Sequence, residues 1–202
     1  MEDVAAAIQA LRAWKPVILP TDTVYGLCAS PYREEPVNRL YRLKGRQDSM
    51  PTALLAPSVE MLFECVPELR GRTGVIASSL LPGPYTLILP NPGRRYRWLT
   101  GNNSLTIGVR VPVLPPPAAR VVEMVGAVAA TSANLPGEPA PSRVEDIPEE
   151  LLRGVAAVID VGELPGVAST VVDCTGAEPR IVREGAVPAV EALDALSTAI
   201  GL

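Results

Sequence analysis

Prolines and glycines, 22 and 16 of the 202 residues, are spread along the whole chain and divide it into short apolar runs. Because proline ends helices and glycine favours turns, this chain cannot form one long helix. Runs such as 85–89 and 105–111 are rich in β-branched and aromatic residues, which is typical of strands. Runs such as 3–13 and 34–44 repeat apolar residues at helical spacing. The interleaving predicts an α/β domain, with a twisted mixed sheet and flanking helices.

The later part of the chain continues this pattern. A helix is expected over 144–152 and a short strand over 155–159. Further strands are expected over 169–172 and 180–183, and an amphipathic helix over 188–200. There is no internal repeat and no long linker, so we expect one domain spanning residues 1–202.

Composition excludes several classes of function. The net charge of −4 gives no support for nonspecific nucleic-acid binding. Histidine is absent, which rules out histidine general bases, triads and metal ligands. The three cysteines lack metal-ligand or CxxC spacing, so we expect buried thiols in a reducing compartment and no protein metal site. Without a signal-like N-terminus or an apolar run near ~20 residues, the protein is expected to be cytoplasmic, with no membrane contact.

Three short polar clusters follow apolar runs: Lys44-Gly45-Arg46, Ser132-Ala133-Asn134, and Arg183-Glu184. Lys44 is one of only two lysines. A lysine point charge beside an arginine fork suits an anionic ligand such as a phosphate chain. Ser132 and Asn134 could add neutral donors and acceptors, so the pattern predicts a nucleotide site without a P-loop.

Each cluster also has a purely structural interpretation. The segment 21–23 could be a turn that bonds its own backbone, and Lys44 could lie at a solvated helix end. Ser132 and Asn134 could cap a helix, and the arginines at 94–97 could belong to a solvated loop. Arg110 differs, because it interrupts the apolar run 107–111 and needs a partner or a ligand there. Arg183 repeats that pattern after an apolar pair.

Taken in order, seven segments resemble the YrdC-like family of L-threonylcarbamoyladenylate synthases in its short, single-domain form. They are Pro20 to Leu27, Lys44 to Arg46, Gly83 to Thr86, Ser104 to Pro112, Ser132 to Leu135, Ser169 to Asp173 and Val182 to Gly185. The resemblance covers most of residues 16–186. It implies an α/β domain with an open concave cleft.

The resemblance also implies a chemistry. Such enzymes combine L-threonine, bicarbonate and ATP into threonylcarbamoyl-AMP and pyrophosphate, with Mg²⁺ arriving on ATP. A partner transferase complex then modifies tRNA. Carried over by motif, the ATP contacts are Lys44, Arg46, Thr106, Asn134, Ser142 and Arg183, of which Lys44 and Arg46 are the catalytic pair. The threonine contacts are Thr23, Arg110, Ser132 and Ser169.

Two other functions remain open from the sequence. The first is an RNA-binding module without synthase activity. In that case the phosphates of tRNA or double-stranded RNA would be bound by Lys44, Arg46, Arg110 and Arg183. The second is a paralogue that binds nucleotide but carbamoylates another acceptor.

Overall fold

In the computed structural model, which describes residues 2–45 and 50–200, the strands form one eight-stranded sheet. The strands are β1 (Val17–Pro20), β2 (Tyr25–Ala29), β3 (Ala53–Leu55), β4 (Tyr85–Pro90), β5 (Thr106–Arg110), β6 (Val128–Ser132), β7 (Thr170–Asp173) and β8 (Arg180–Arg183). Their order across the sheet is β1-β2-β6-β3-β5-β4-β7-β8. The pairs β3–β5 and β4–β7 are parallel, whereas the others are antiparallel. The predicted mixed sheet is therefore confirmed.

Helices cover this sheet unequally on its two faces. They are α1 (Glu2–Arg12), α2 (Glu34–Leu43), α3 (Val59–Cys65), α4 (Arg72–Leu80), α5 (Pro116–Val125), α6 (Glu149–Gly154) and α7 (Ala189–Ile200). Two short 3-10 turns lie at Arg97–Leu99 and Val144–Asp146. No helix in the described ranges is long and apolar enough to cross a membrane.

Successive strand residues alternate between two hydrophobic cores. Leu27, Leu54 and Val109 belong to the larger core, together with apolar residues of α2, α3, α4, α6 and α7. Cys28 and Val128 belong to the smaller core, which includes residues of α1 and α5. These two helices cover only part of their face, and the remaining part carries the candidate site.

Local signals explain where several elements begin and end. The Ser58 hydroxyl accepts the Met61 N–H at 3.2 Å and caps α3, because serine favours this position. Gly45 follows the last turn of α2 with φ +59°, a left-handed conformation that glycine adopts without steric cost. Lys44, one residue earlier, is thus held at the end of an ordered helix.

Two sequence predictions are wrong in detail. The expected helix over 144–152 is interrupted at Pro148, which has no N–H to donate, and α6 starts only at Glu149. The expected strand over 155–159 makes a single bridge, between Val158 and Ile18. Directly after this segment, Asp160 accepts a hydrogen bond from the Tyr25 hydroxyl at 3.0 Å.

All three cysteines are free thiols, and Cys28 and Cys174 are buried. Burial raises the pKa of each of these two thiols to about 12. Both are therefore protonated at neutral pH and act as small apolar side chains, as expected from the sequence.

Candidate active site

A cavity of about 190 Å³ opens where α1 and α5 leave the sheet uncovered. Its wall combines small side chains with hydroxyl groups and two cations. These include Gly26, Ala53, Ala130, Thr52, Thr86, Thr131, Ser132, Ser169, Arg110 and Arg183. None of the described residues that line it is Asp or Glu. The cavity therefore suits a ligand that carries negative charge and accepts hydrogen bonds.

Strand register brings part of this wall together. Thr86 of β4 lies opposite Val171 of β7, and Val171 lies opposite Arg183 of β8. Because paired residues share a face of the sheet, these three side chains project to the same side. The site thus draws on residues nearly one hundred positions apart in the chain.

Lys44 joins the first two polar clusters. Its Nζ donates to the Ser132 carbonyl, and it lies 3.2 Å from each of Thr131 Oγ1, Ser132 Oγ and Asn134 Oδ1. Lys44 is only 5 % exposed, so its interpretation as a solvated helix end is wrong. Asn134 is fixed in turn, because it accepts from Ser132 Oγ at 2.5 Å and donates to the Glu138 carbonyl at 2.6 Å.

Arg110 is held by the turn between β1 and β2. Its Nη2 donates to Asp22 Oδ1 at 2.8 Å and to Thr23 Oγ1 at 3.2 Å. The charge in the apolar strand therefore has an internal partner, which was one of the two options left by the sequence. The Nε of Arg110 is buried and has no hydrogen-bond partner among the described residues.

Thr23 lies behind Arg110 and does not line the cavity. It is fully buried. Thr21 Oγ1 donates its single proton to the Val24 carbonyl at 2.7 Å, so Thr23 must be the donor in the 2.9 Å contact between the two hydroxyls. The expected turn that bonds its own backbone is therefore present, and the same turn also positions the guanidinium.

Burial disfavours the charged form of both Asp22 and Arg110, and each charge offsets this effect on the other. Burial raises the pKa of the Asp22 carboxyl, against the opposing effect of the Arg110 charge. Burial likewise lowers the pKa of Arg110, and the nearby charge of Arg183 lowers it further, while Asp22 raises it. Because Asp22 offsets the charge of Arg110, Arg183 is the cation of the described wall that favours an anionic ligand.

The third cluster surrounds Ser169. Its hydroxyl lies 2.8 Å from Thr86 Oγ1. Arg183 Nη2 donates to the Ser169 carbonyl at 2.7 Å and lies 3.3 Å from its hydroxyl. Arg183 is exposed on β8, the edge strand, so the expectation of a buried charge there is wrong. Within residues 2–45 and 50–200, no carboxylate lies within ion-pair distance of it.

Thr170 and Gly185 place Arg183 beside Ser169. The buried Thr170 hydroxyl accepts the N–H groups of Gly185 and Val187, both at 3.0 Å, and donates to the Val187 carbonyl. A Cβ on Gly185 would lie 2.1 Å from the Ala168 carbonyl oxygen. Only glycine permits this close approach of the two chain segments.

Thr23, Lys44 and Asn134 lie beside the cavity without lining it. Two other predicted site residues lie elsewhere, and one cannot be placed. Thr106 begins β5, away from the cavity wall, and contacts the Asn103 carbonyl at 3.4 Å. Ser142 lines a second cavity of about 700 Å³. Arg46 lies outside the described residues. The arginines at 94–97 are exposed, and Arg95 pairs with Glu68 at 2.8 Å, which confirms the solvated-loop interpretation.

Sequence reasoning missed three contributors to the site. Asp22 was assigned only to a turn, although it is the counterion of Arg110. Thr52 lines the cavity with a buried hydroxyl that has no partner among the described residues. Thr86 belongs to a recognised motif but received no role. Alternation along β4 could have identified Thr86, whereas nothing local connects Asp22 with a residue 88 positions away.

Comparison with known proteins supports the resemblance. The family model Sua5/YciO/YrdC, described as "Telomere recombination", matches residues 9–185. The chain therefore belongs to this family. It is 35 % identical over 183 residues to the threonylcarbamoyl-AMP synthase of Pyrococcus abyssi, covering 90 % of this chain and 53 % of that protein. Identity to the Stenotrophomonas maltophilia threonylcarbamoyl-AMP synthase is 36 % over 168 residues, 81 % of this chain and 88 % of that one.

Solved structures of Sua5 and YciO proteins also match this chain. The crystal structure of P. abyssi Sua5 complexed with L-threonine matches with a TM-score of 0.86 and 34 % identity. That match covers 98 % of this chain but 57 % of the other, so the present chain spans little more than half of this relative. The structure of E. coli YciO matches with a TM-score of 0.83 and 27 % identity, covering 94 % and 92 % of the two chains.

The Asp22–Arg110 pair provides a test of the site's architecture. Asp22→Asn keeps the side-chain shape but leaves a buried guanidinium without its counterion, and should destabilise the protein by about 3 kcal/mol. The double variant Asp22→Asn with Arg110→Met should recover most of that loss, because it removes both charges. Urea unfolding measures the free energies.

Glu35→Gln is the matched control, since it removes the exposed carboxylate of the Glu35–Arg42 pair and should leave stability unchanged within error. If Asp22→Asn behaves like this control, the pair does not stabilise the turn.

Proposed function

We propose that the chain is an L-threonylcarbamoyladenylate synthase, which makes threonylcarbamoyl-AMP and pyrophosphate from L-threonine, bicarbonate and ATP. The observation that carries the proposal is the cavity itself. Arg110 and Arg183 line it together with neutral hydroxyls, and Lys44 contacts the lining residues Thr131 and Ser132. None of the described lining residues is a carboxylate. The names of the two threonylcarbamoyl-AMP synthase relatives support the same activity.

The proposed reaction has two bond-forming steps. The neutral amine of threonine takes up the carbon of bicarbonate, with loss of water, and becomes a carbamate. A carbamate oxygen then attacks the α-phosphorus of ATP, and the bond to pyrophosphate breaks. Positioning and neutralisation of negative charge are the main demands of such a transfer. Hydroxyls and cations can meet these demands without histidine.

The ATP side is assigned to Lys44, Arg46, Thr106, Asn134, Ser142 and Arg183. The contacts of Lys44 with Asn134 and the open position of Arg183 support phosphate contacts there. Lys44 and Arg46 would act as the catalytic pair that neutralises the leaving phosphates. Ser142 lies at the second cavity, so an extended nucleotide that spans both cavities would meet it.

The threonine side is assigned to Thr23, Arg110, Ser132 and Ser169. Arg110, Ser132 and Ser169 line the cavity and can touch a substrate directly. The two hydrogen bonds of Arg110 to described residues both use Nη2, and Nη1 is not among its buried atoms without a partner, which leaves Nη1 as a donor for a substrate carboxylate. Thr23 would act through Arg110, which it holds at 3.2 Å.

Mg²⁺ enters this scheme as part of the Mg–ATP substrate. The described residues include no group of three or more His, Cys, Asp or Glu that could hold a metal ion. Phosphate oxygens and water are preferred Mg²⁺ ligands, so the triphosphate would carry the cation into the cavity.

In the cell, the product would pass to a transferase partner that modifies tRNA in the cytoplasm. The alternative function as an RNA-binding module is less well supported, because the net charge of the chain is −4. A paralogue with another acceptor is tested by the amino-acid series below.

Turnover tests the proposal directly. The protein, ATP, Mg²⁺, L-threonine and bicarbonate should together release pyrophosphate, and mass spectrometry should detect the mixed anhydride threonylcarbamoyl-AMP. Omission of threonine or bicarbonate should stop the release. Pyrophosphate release that ignores both compounds would contradict the assignment.

The phosphate side is tested by Lys44→Ala and Arg183→Met. Each should lower kcat/KM for ATP by about 100-fold, since a charge-assisted contact is lost. Lys15→Ala and Arg180→Met are matched controls, because both side chains are exposed and lie outside the cavity wall. Circular dichroism checks folding, and equal activity in variants and controls would move the site elsewhere.

The amino-acid side is tested by substrate comparison. L-Serine should react poorly and L-valine hardly at all, because a site that binds a hydroxyl leaves its own polar groups unpaired with valine. The measurement is the initial rate of pyrophosphate release at fixed ATP and bicarbonate. Similar rates for threonine and valine, or a faster rate with another amino acid, would favour the paralogue.

A further inference from the structure

Thr86 lies in the cavity wall without an assigned role. It belongs to β4, where its neighbours Tyr85 and Leu87 point into the larger core. Alternation along the strand therefore turns Thr86 toward the open face. There its hydroxyl lies 2.8 Å from the hydroxyl of Ser169, which also lines the cavity.

One of the two hydroxyl protons of this pair takes part in no hydrogen bond between the described residues. The pair has two hydroxyl protons, and the contact between the oxygens consumes one. Arg183 Nη2 lies 3.3 Å from Ser169 Oγ and can only donate, so neither hydroxyl can donate a hydrogen bond to it. Neither hydroxyl donates to any other described group. Whichever of the two is the internal donor, the other keeps an O–H that is free to donate.

The free O–H can be directed into the cavity. Both residues are part of the cavity wall. The pair is thus a neutral donor that faces the ligand, with Arg183 beside it.

From this we infer that Thr86 is a specificity-determining residue. Together with Ser169 it forms a two-hydroxyl site that binds the side-chain hydroxyl of the amino-acid substrate. The inference rests on the proposed function. A guanidinium such as Arg110 is the better match for the substrate carboxylate, because two charges attract and the fork can bind both oxygens. The neutral pair is then left for the neutral group of threonine.

The methyl group of Thr86 lies on the side of β5, since its Cγ2 is 3.9 Å from the position that a Cβ on Gly108 would occupy. β-Branched side chains have few χ1 rotamers, and in the observed one the hydroxyl faces Ser169. Serine at this position would keep the donor, whereas valine would keep the shape and lose it.

Thr86→Val and Thr86→Ser are therefore the informative variants, with Thr198→Val as a matched control. Thr198 is an exposed threonine on α7 whose hydroxyl donates to the Asp194 carbonyl at 2.9 Å. Pyrophosphate release gives kcat/KM for L-threonine and L-valine and KM for ATP. Calorimetric titration gives the binding constants of both amino acids.

Thr86→Val should lower kcat/KM for threonine about tenfold, with KM for ATP within about twofold of the wild type. The threonine-to-valine ratio should fall by a similar factor. Thr86→Ser should keep most of that ratio, and Thr198→Val should keep all of it. An unchanged ratio in Thr86→Val overturns the inference, and so does a loss in Thr86→Ser as large as that in Thr86→Val.

Turnover by the wild type separates this inference from the proposed function. If the wild type releases no threonine-dependent pyrophosphate, the proposed function fails, and the binding constants alone decide the role of Thr86. If the wild type binds threonine more tightly than valine and Thr86→Val does not, the result supports the proposed role of Thr86. Equal binding of the two amino acids to the wild type overturns it.

Discussion

The buried pair between Asp22 and Arg110 is the interaction on which the site depends. It joins the turn after β1 to the end of β5, two segments that are far apart in the sheet order. A guanidinium inside an apolar strand is tolerated only when its charge is matched by a nearby counterion. Because Thr23 and Asp22 share one Nη2, the turn also fixes the direction of the remaining donors.

Around this pair, the cavity wall keeps the positive charge of Arg183, because its other described lining residues are neutral. Lys44 contacts two of those residues, Thr131 and Ser132, without lining the cavity. Lys44 is held by oxygens of the segment 131–134, which include carbonyl, hydroxyl and amide oxygens. Arg183 is held by a carbonyl and a hydroxyl of Ser169. Such contacts fix the direction of a cation but cancel little of its charge, so attraction for an anion is retained.

Membership of the Sua5/YciO/YrdC family is consistent with this arrangement. The chain corresponds to about half of the P. abyssi protein, and its described residues form the eight-stranded sheet and the cavity. Family resemblance and site geometry are independent arguments. The first comes from ordered motifs along the chain, and the second from side chains that the sheet brings together.

The sequence by itself determined the α/β class, most helices and strands, and the polar clusters that belong to the site. Those features follow from local periodicity, turn residues and spacing, which act over a few positions. Tertiary structure alone decided that Asp22 neutralises Arg110, that Lys44 is buried against Ser132, and that Thr86 meets Ser169. These contacts join residues 83 to 88 positions apart, and strand order and register set them. The exposure of Arg183 was decided in the same way, since only the sheet order makes β8 an edge strand, whereas its apolar neighbours suggested burial.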